Sequence, residues 1–145
     1  MSESGSDLTA DVRDDAVVDG GVVEVRVPAD GAYVATLRLT AASLAARCDL
    51  TIDDIEDLRL AVDEACALLL PHAKPATTMQ IRFELLRACL AVTTTVDSPE
   101  ATEASPDRTG FAWSVLSALA TTVDVTGSEG RLAITVTKRR ETTAA

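Results

Sequence analysis

Residues 51–72 constrain the fold most, because they predict one long helix with a signal at each end. Thr51 can cap the first turn, and Asp54, three residues later, stands where a capping box has its acid. Pro71 marks the other end, because proline disfavours the helical conformation of the residue before it. The stretch therefore predicts one continuous helix that ends near Pro71.

Apolar residues recur along this helix at steps of three or four and form a stripe that should pack on the body of the fold. The stripe consists of Ile55, Leu58, Val62, Ala65, Cys66 and Leu69. Glu64 points nearly the opposite way, and its neighbours on that side are Leu60, Ala61, Ala67 and Leu68. A carboxylate among leucines indicates either a partly solvated side chain or a face that lines a pocket or meets a partner.

The rest of the chain contains five strand patterns and two more helix patterns. Alternating segments at 22–27, 79–85, 90–96, 123–125 and 132–136 predict strands. Asp30 can cap a helix over 34–48, and a third helix follows Gly110 with the stripe Phe111, Val115, Ala118 and Leu119. The order β-α-α-β-β-α-β-β predicts an α+β two-layer sandwich. The long link from residue 97 to residue 109 is typical of a functional loop.

Composition and charge narrow the class of protein. The chain has 145 residues, a hydrophobic fraction of 47% and a formal net charge of -10, which indicates one acidic globular domain. The acidic balance argues against direct nucleic-acid binding. We find no apolar run that could span a membrane and no secretory signal, so we expect no membrane association and a cytoplasmic protein. Residues 1–20 carry six acids and predict a disordered acidic tail, 21–139 the folded domain, and 140–145 a polar tail.

The cysteines and the histidine do not suggest a metal site. Cys48, Cys66 and Cys89 form no C-x-x-C pair, and each lies within or beside an apolar pattern, so we expect buried or partly buried thiols in a reducing compartment. His72 has no ligand motif around it. We therefore predict no bound metal held by cysteine or histidine.

Two motifs resemble a known family. D-L-R-L-A-V-D-E-A-C (residues 57–66) resembles the N-box helix of the GHKL-type ATPase and kinase superfamily, and the anti-sigma factors of the RsbW and SpoIIAB group look nearest. T-G-F-A-W-S-V-L-S-A-L-A (residues 109–120) is similar to the segment that follows their nucleotide lid. The resemblance implies a Bergerat (HATPase-like) sandwich in a homodimer that sequesters a sigma factor. A STAS-domain anti-anti-sigma protein releases it, and typical members phosphorylate that antagonist with ATP and magnesium.

The resemblance also implies roles for four residues. It puts Glu64 at the catalytic glutamate, a general base towards the accepting hydroxyl. Asp97 falls at the aspartate that accepts a hydrogen bond from adenine, and Gly110 at the glycine that remains where the nucleotide lid ends. Arg38 falls near an arginine of the first helix that contacts partners.

Three departures from the family pattern predict a degenerate nucleotide site. The magnesium-ligating asparagine four residues after the glutamate is Leu68, whose side chain has no oxygen. The glycines that should follow Asp97 are replaced at 98–100, and the late Gly-x-Gly-Thr reads G-R-L-A at 130–133. We expect weak ATP binding at most, leave magnesium binding open, and predict that catalytic activity is weak or lost.

Three functions are compatible with these residues. The first is an anti-sigma factor with a degenerate nucleotide site. The second is an active serine/threonine kinase that phosphorylates the STAS antagonist, which the retained Glu64 and Asp97 favour. The third is a non-catalytic acidic scaffold or oligomerisation domain, in which Glu64 pairs with an arginine such as Arg59.

Overall fold

The computed structural model describes residues 17–99, 101 and 108–141. Its five strands are β1 (Val17–Pro28), β2 (Thr78–Leu86), β3 (Cys89–Asp97), β4 (Thr122–Ser128) and β5 (Arg131–Arg139). Its three α-helices are α1 (Val34–Arg47), α2 (Ile52–Leu69) and α3 (Phe111–Leu119), and single 3₁₀ turns cover Gly31–Tyr33 and Leu70–His72. The predicted order of elements is confirmed, although both terminal strands and β4 are longer than the sequence pattern indicated.

The five strands form one antiparallel sheet in the order β1-β2-β3-β5-β4. Side chains alternate between its two faces, and on one face they are buried with the helices in a single core. The fully buried members of β2 are Met79, Ile81, Phe83 and Leu85. The predicted two-layer α+β sandwich is therefore confirmed, and the opposite side of the sheet, which we call the open face, carries polar side chains such as Thr93 and Thr135.

Helix α2 lies at the centre of the helix layer and has the predicted N-terminus. The Thr51 hydroxyl accepts a hydrogen bond from the Asp54 amide at 3.1 Å, and the Asp54 carboxylate accepts one from the Thr51 amide at 3.2 Å. At the other end Leu70 keeps helical backbone angles, and Pro71 lies in the 3₁₀ turn that ends the helix. Ala61, which the sequence pattern placed on the outer side with Glu64, is fully buried, so the stripe that packs on the sheet is wider than predicted.

The predicted inner face of α3 is wrong. Leu116 is its fully buried residue, and Trp113 packs partly buried against the core, whereas Phe111 is 83% exposed. Nearly every residue of this nine-residue helix is apolar or small, so its apolar residues lie all around it. Its packing, chiefly against α2, decides which of them are covered.

The ends of the chain differ from the predicted boundaries. Strand β1 begins at Val17, four residues before the predicted start of the domain, and contains an irregular register between Val17 and Val22. Residues 1–16, which hold most of the predicted acidic tail, lie outside the described residues. At the other end the Arg140 amide donates to the Ala88 carbonyl at 2.8 Å and the Glu141 amide to Asp54 at 3.3 Å. Both residues beyond β5 are thus tied to the domain.

Candidate functional site

A groove between α1 and α2 brings two of the predicted site residues together. Its volume is about 480 Å³. Its lining includes Arg38 from α1 and Asp63 and Glu64 from α2, with the apolar remainder contributed by residues such as Val34 and Leu70. Its lining also includes one small residue of each helix, Ala35 of α1 and Ala67 of α2.

Arg38 is held by a carboxylate that sequence reasoning missed. Its Nη1 donates to Asp63 Oδ1 at 2.7 Å, and the two side chains are 33% and 34% exposed. A pair this accessible is screened by water and holds the guanidinium in position more than it stabilises the fold. The acidic residue before Glu64 was the available signal, but its partner lies 25 positions away in the chain.

Glu64 lies half-buried in the same groove. Among the residues that the structure describes, none forms a hydrogen bond or ion pair with its carboxylate. It is therefore a groove-lining acid, neither a core residue nor a fully solvated one. Its pairing with Arg59, which the scaffold function offered as one example of an arginine partner, is not observed, because Arg59 bonds Glu56 at 3.2 Å.

Leu68, one turn after Glu64, packs partly buried against the hydrophobic core. An asparagine at this position would present an amide oxygen to a cation, whereas the isobutyl group presents only carbon. In the described part of the chain, no group of three His, Cys, Asp or Glu side chains is arranged to hold a metal ion.

Asp97 occupies a different part of the molecule. It follows the buried Val96 in β3, so its side chain belongs to the open face, where it lines a cavity of about 210 Å³ with Arg26, Gln80 and Arg131. Arg131 Nε lies 3.9 Å from Asp97 Oδ1. Asp97 and Glu64 thus line two separate cavities, and the adenine-binding role of Asp97 stays a prediction.

Gly110 caps the N-terminus of α3 with an extended backbone, φ −84° and ψ 175°. Any residue can adopt these angles, so the backbone conformation here does not require glycine. Beside it, the Arg108 guanidinium lies 5.7 Å from the centre of the Trp113 ring, within the range of a cation–π contact. Most of the predicted nucleotide lid, residues 102–107, lies outside the described residues.

The glycine at position 130 is explained by the backbone geometry of the turn in which it lies. Gly130 has φ +76° and follows Glu129 at φ +55° in the tight turn between β4 and β5. Two successive positive φ values are typical of a type I′ hairpin turn, in which glycine is favoured. The Gly130 carbonyl also accepts a hydrogen bond from the Ser98 amide at 2.7 Å. Hairpin geometry alone is enough to explain this residue.

The lining of the groove between α1 and α2 does not fit a magnesium–triphosphate group. In the groove, the Arg38 guanidinium already neutralises one carboxylate, and Glu64 adds a second one. A polyanion there would meet unbalanced negative charge, and the oxygen ligand that would bring a compensating cation is missing at Leu68. We therefore assign no catalytic step to this groove.

Cys66 also lines the groove but is not a nucleophile. Burial, reinforced by the negative charge of Asp63 and opposed by Arg38, raises the pKa of its thiol to about 12. Burial likewise raises the pKa of the Cys89 thiol, against the opposing charge of Arg139. Thiols are unreactive without deprotonation, and all three cysteines are buried and unbridged, as predicted.

A buried charge cluster beneath α2 was not predicted. Lys138 of β5 is 5% exposed in its side chain, and its Nζ donates to Asp57 Oδ2 at 3.2 Å and to the Leu119 carbonyl at 2.9 Å. Asp57 is the first residue of the N-box-like motif. Its observed contact joins α2 to the end of the sheet, which is a structural role.

The likeness to known proteins agrees with this architecture. Residues 27–138 match the family described as histidine kinase-like ATPase domain. The chain is 45% identical over 51 residues to the serine-protein kinase RsbW of Bacillus thuringiensis (strain Al Hakam) and 47% identical over 51 residues to that of Bacillus velezensis. These matches cover 35% of this chain and 32% of each relative, so the chain aligns with about a third of the curated relatives' length.

One solved structure supports the fold. The RsbU and RsbW domains of Rv1364c from Mycobacterium tuberculosis superpose with a TM-score of 0.63 at 16% identity, over 86% of this chain and 34% of that one. No helix in the described ranges is long and apolar enough to cross a membrane. The family match over most of the chain, together with this fold, shows that the protein belongs to the histidine kinase-like ATPase domain family and is an RsbW-like GHKL protein.

Proposed function

We propose that this chain is an anti-sigma factor that sequesters an alternative sigma factor, and that a STAS-domain anti-anti-sigma protein releases it. In this proposal it acts in the cytoplasm as a homodimer, and its nucleotide site is degenerate. The observation that carries the proposal is that Leu68, at the position where the family has a magnesium ligand, packs partly buried against the core.

Phosphoryl transfer requires that negative charge be neutralised. Charge on the transferring phosphoryl group is neutralised chiefly by bound metal ions and by cationic side chains. Here the metal ligand is replaced by carbon, and the one arginine of the groove is engaged by Asp63 at 2.7 Å. A protein that has lost these features and kept the surrounding helices is better suited to binding a protein than to catalysis.

Isothermal titration with Mg-ATP tests the degenerate site. We expect no saturable binding to the wild-type protein at millimolar nucleotide, and measurable binding to Leu68→Asn, which restores an amide oxygen at the family position. Leu60→Asn, on the same helix and half exposed, is the matched control and should behave like wild type. Saturable binding with turnover by the wild-type protein contradicts the proposal.

Active kinase function is the second candidate, and the half-buried carboxylate of Glu64, which has no partner among the residues that the structure describes, favours it. A general base needs an acceptor that is not already occupied, and Glu64 meets that condition. The assay is transfer of labelled phosphate from ATP to a matched STAS protein, with Glu64→Gln as the test variant and the exposed Glu56→Gln as control. Phosphorylation that Glu64→Gln alone abolishes would establish this candidate over the first.

Partner binding is tested by affinity purification from a cell lysate with mass spectrometry, with and without ATP. We expect a sigma factor and a STAS protein among the captured partners, and weaker sigma capture by Arg38→Ala. Arg82→Ala is the control, because Arg82 is an ion-paired arginine on the open face. Capture of neither partner by the wild-type protein would favour the scaffold function.

A further inference from the structure

The pairing of four neighbouring strands places the start of β1 at the same end of the sheet as two arginines. Val17 pairs with Leu86, Leu86 with Cys89, and Cys89 with Arg139, so these residues form one row across β1, β2, β3 and β5. At about 4.8 Å per strand, Val17 and Arg139 lie about 14 Å apart. Arg87 lies in the tight turn between β2 and β3, at the same end of the sheet. We call the pair Arg87 and Arg139 the arginine edge.

The arginine edge carries positive charge that the described part of the domain does not compensate. Both side chains are exposed, and neither has an ion-pair partner among the described residues. Two acids near this end have partners of their own: Asp49 pairs with Arg140 at 2.9 Å, and Asp54 accepts from the Thr51 and Glu141 amides.

The sequence supplies an oppositely charged segment at the same place. Residues 1–16 contain five acids, Glu3, Asp7, Asp11, Asp14 and Asp15, and a single arginine, Arg13. This segment enters the domain at Val17, in the row that ends at Arg139. Sixteen residues can span up to about 50 Å, several times the distance across the row.

We propose that the acidic segment 1–16 docks on the arginine edge of its own domain. Carboxylates of the segment pair with the guanidinium groups of Arg87 and Arg139, so the contact is electrostatic and sensitive to salt. Attachment at Val17 makes the contact intramolecular, which raises the effective concentration of the segment. This contact is separate from the groove between α1 and α2 and does not depend on the proposed anti-sigma function.

Paramagnetic relaxation in solution tests the contact on the full chain. A nitroxide is attached to Ser6→Cys, and the native cysteines do not compete because all three are buried and the pKa values of Cys66 and Cys89 are raised. We expect the amide signals of Arg87 and Arg139 to broaden at least about twofold more at about 20 mM salt than at about 0.5 M, because the Debye length falls from about 20 Å to about 4 Å.

Charge variants show which groups are responsible. The triple variant Asp11→Asn, Asp14→Asn, Asp15→Asn and the double variant Arg87→Gln, Arg139→Gln should each remove the salt-sensitive broadening. Arg26→Gln is the matched control: Arg26 is also exposed and has no ion-pair partner among the described residues, but it lies towards the other end of β1. It should leave the broadening unchanged.

Three outcomes overturn the proposal. The first is broadening at the arginine edge that does not respond to salt or to either set of charge variants, which indicates chain attachment alone. The second is equal broadening at Arg26, which indicates no preferred site. The third is broadening that disappears on dilution with unlabelled protein, which assigns the contact to the segment of a second copy.

Discussion

The ion pair between Lys138 and Asp57 allows a quantitative prediction. The Lys138 side chain is 5% exposed, whereas Asp57 is 39% exposed, so the two partners are not equivalent. With Asp57→Ala the buried ammonium keeps the Leu119 carbonyl at 2.9 Å but loses its ion-pair partner, and Asp54, whose pKa Lys138 lowers, remains only as a more distant carboxylate. With Lys138→Met the apolar stem is replaced by a side chain of similar length, and the remaining carboxylate can turn towards water.

The magnitudes follow from burial and distance. At 3.2 Å and an effective dielectric constant of about 20, the Coulomb attraction is about 5 kcal/mol. Breaking a fully buried pair costs about 3–5 kcal/mol, and the exposure of Asp57 reduces this because water screens that end of the pair. We expect Asp57→Ala to lower the free energy of unfolding by about 2–3 kcal/mol, and Lys138→Met to lower it by about 1 kcal/mol or less.

Urea denaturation followed by circular dichroism measures both variants and the double variant. Asp57→Ala in the Lys138→Met background should cost little, which gives a coupling free energy of about 2 kcal/mol in the double-mutant cycle. Glu56→Ala, which removes the exposed i,i+3 pair with Arg59, is the control and should cost less than about 0.5 kcal/mol. The reasoning is refuted if Lys138→Met is as destabilising as Asp57→Ala, or if the coupling is near zero.

Two further predictions concern stability. Burial opposes ionisation of Asp54, but hydrogen bonds from Thr51 and the Glu141 amide, together with Lys138, lower its pKa below 3.8. The ionised Asp54 carboxylate therefore contributes fully to the free energy of unfolding above about pH 4, and this contribution is lost as pH falls through the lowered pKa. We expect Asp54→Ala to lower the free energy of unfolding by about 1–2 kcal/mol at pH 7. Its stability should also fall less steeply than that of the wild type as the pH is lowered. Gly130→Ala should cost about 1 kcal/mol because of φ +76°, whereas Gly31→Ala, without a positive φ and with open space around the added carbon, should be neutral within about 0.5 kcal/mol by thermal unfolding.

The secondary structure could be predicted wherever local chemistry decides it. The capping box of Thr51 and Asp54 and the alternation of β2 are local properties, and both are observed. The inner face of α3 was predicted wrongly, because Phe111 is exposed and Leu116 is buried. A short helix that is apolar on all sides has no hydrophobic periodicity that would indicate its buried face. Ala61 was misplaced for a related reason, since alanine fits either a core or a surface.

The candidate site depended more on the tertiary structure. The sequence by itself determined that Glu64 stands among apolar neighbours and that Leu68 lacks a metal-ligating oxygen. Only the tertiary structure decided that Asp63, and not Glu64, holds Arg38, and that Asp97 belongs to the open face. Likewise, Lys138 forms its ion pair with Asp57, which lies 81 positions away in the chain. The physical reason is that helix and strand periodicity act within a few residues, whereas a buried charge is satisfied by whichever group the packing of the layers brings within hydrogen-bond distance.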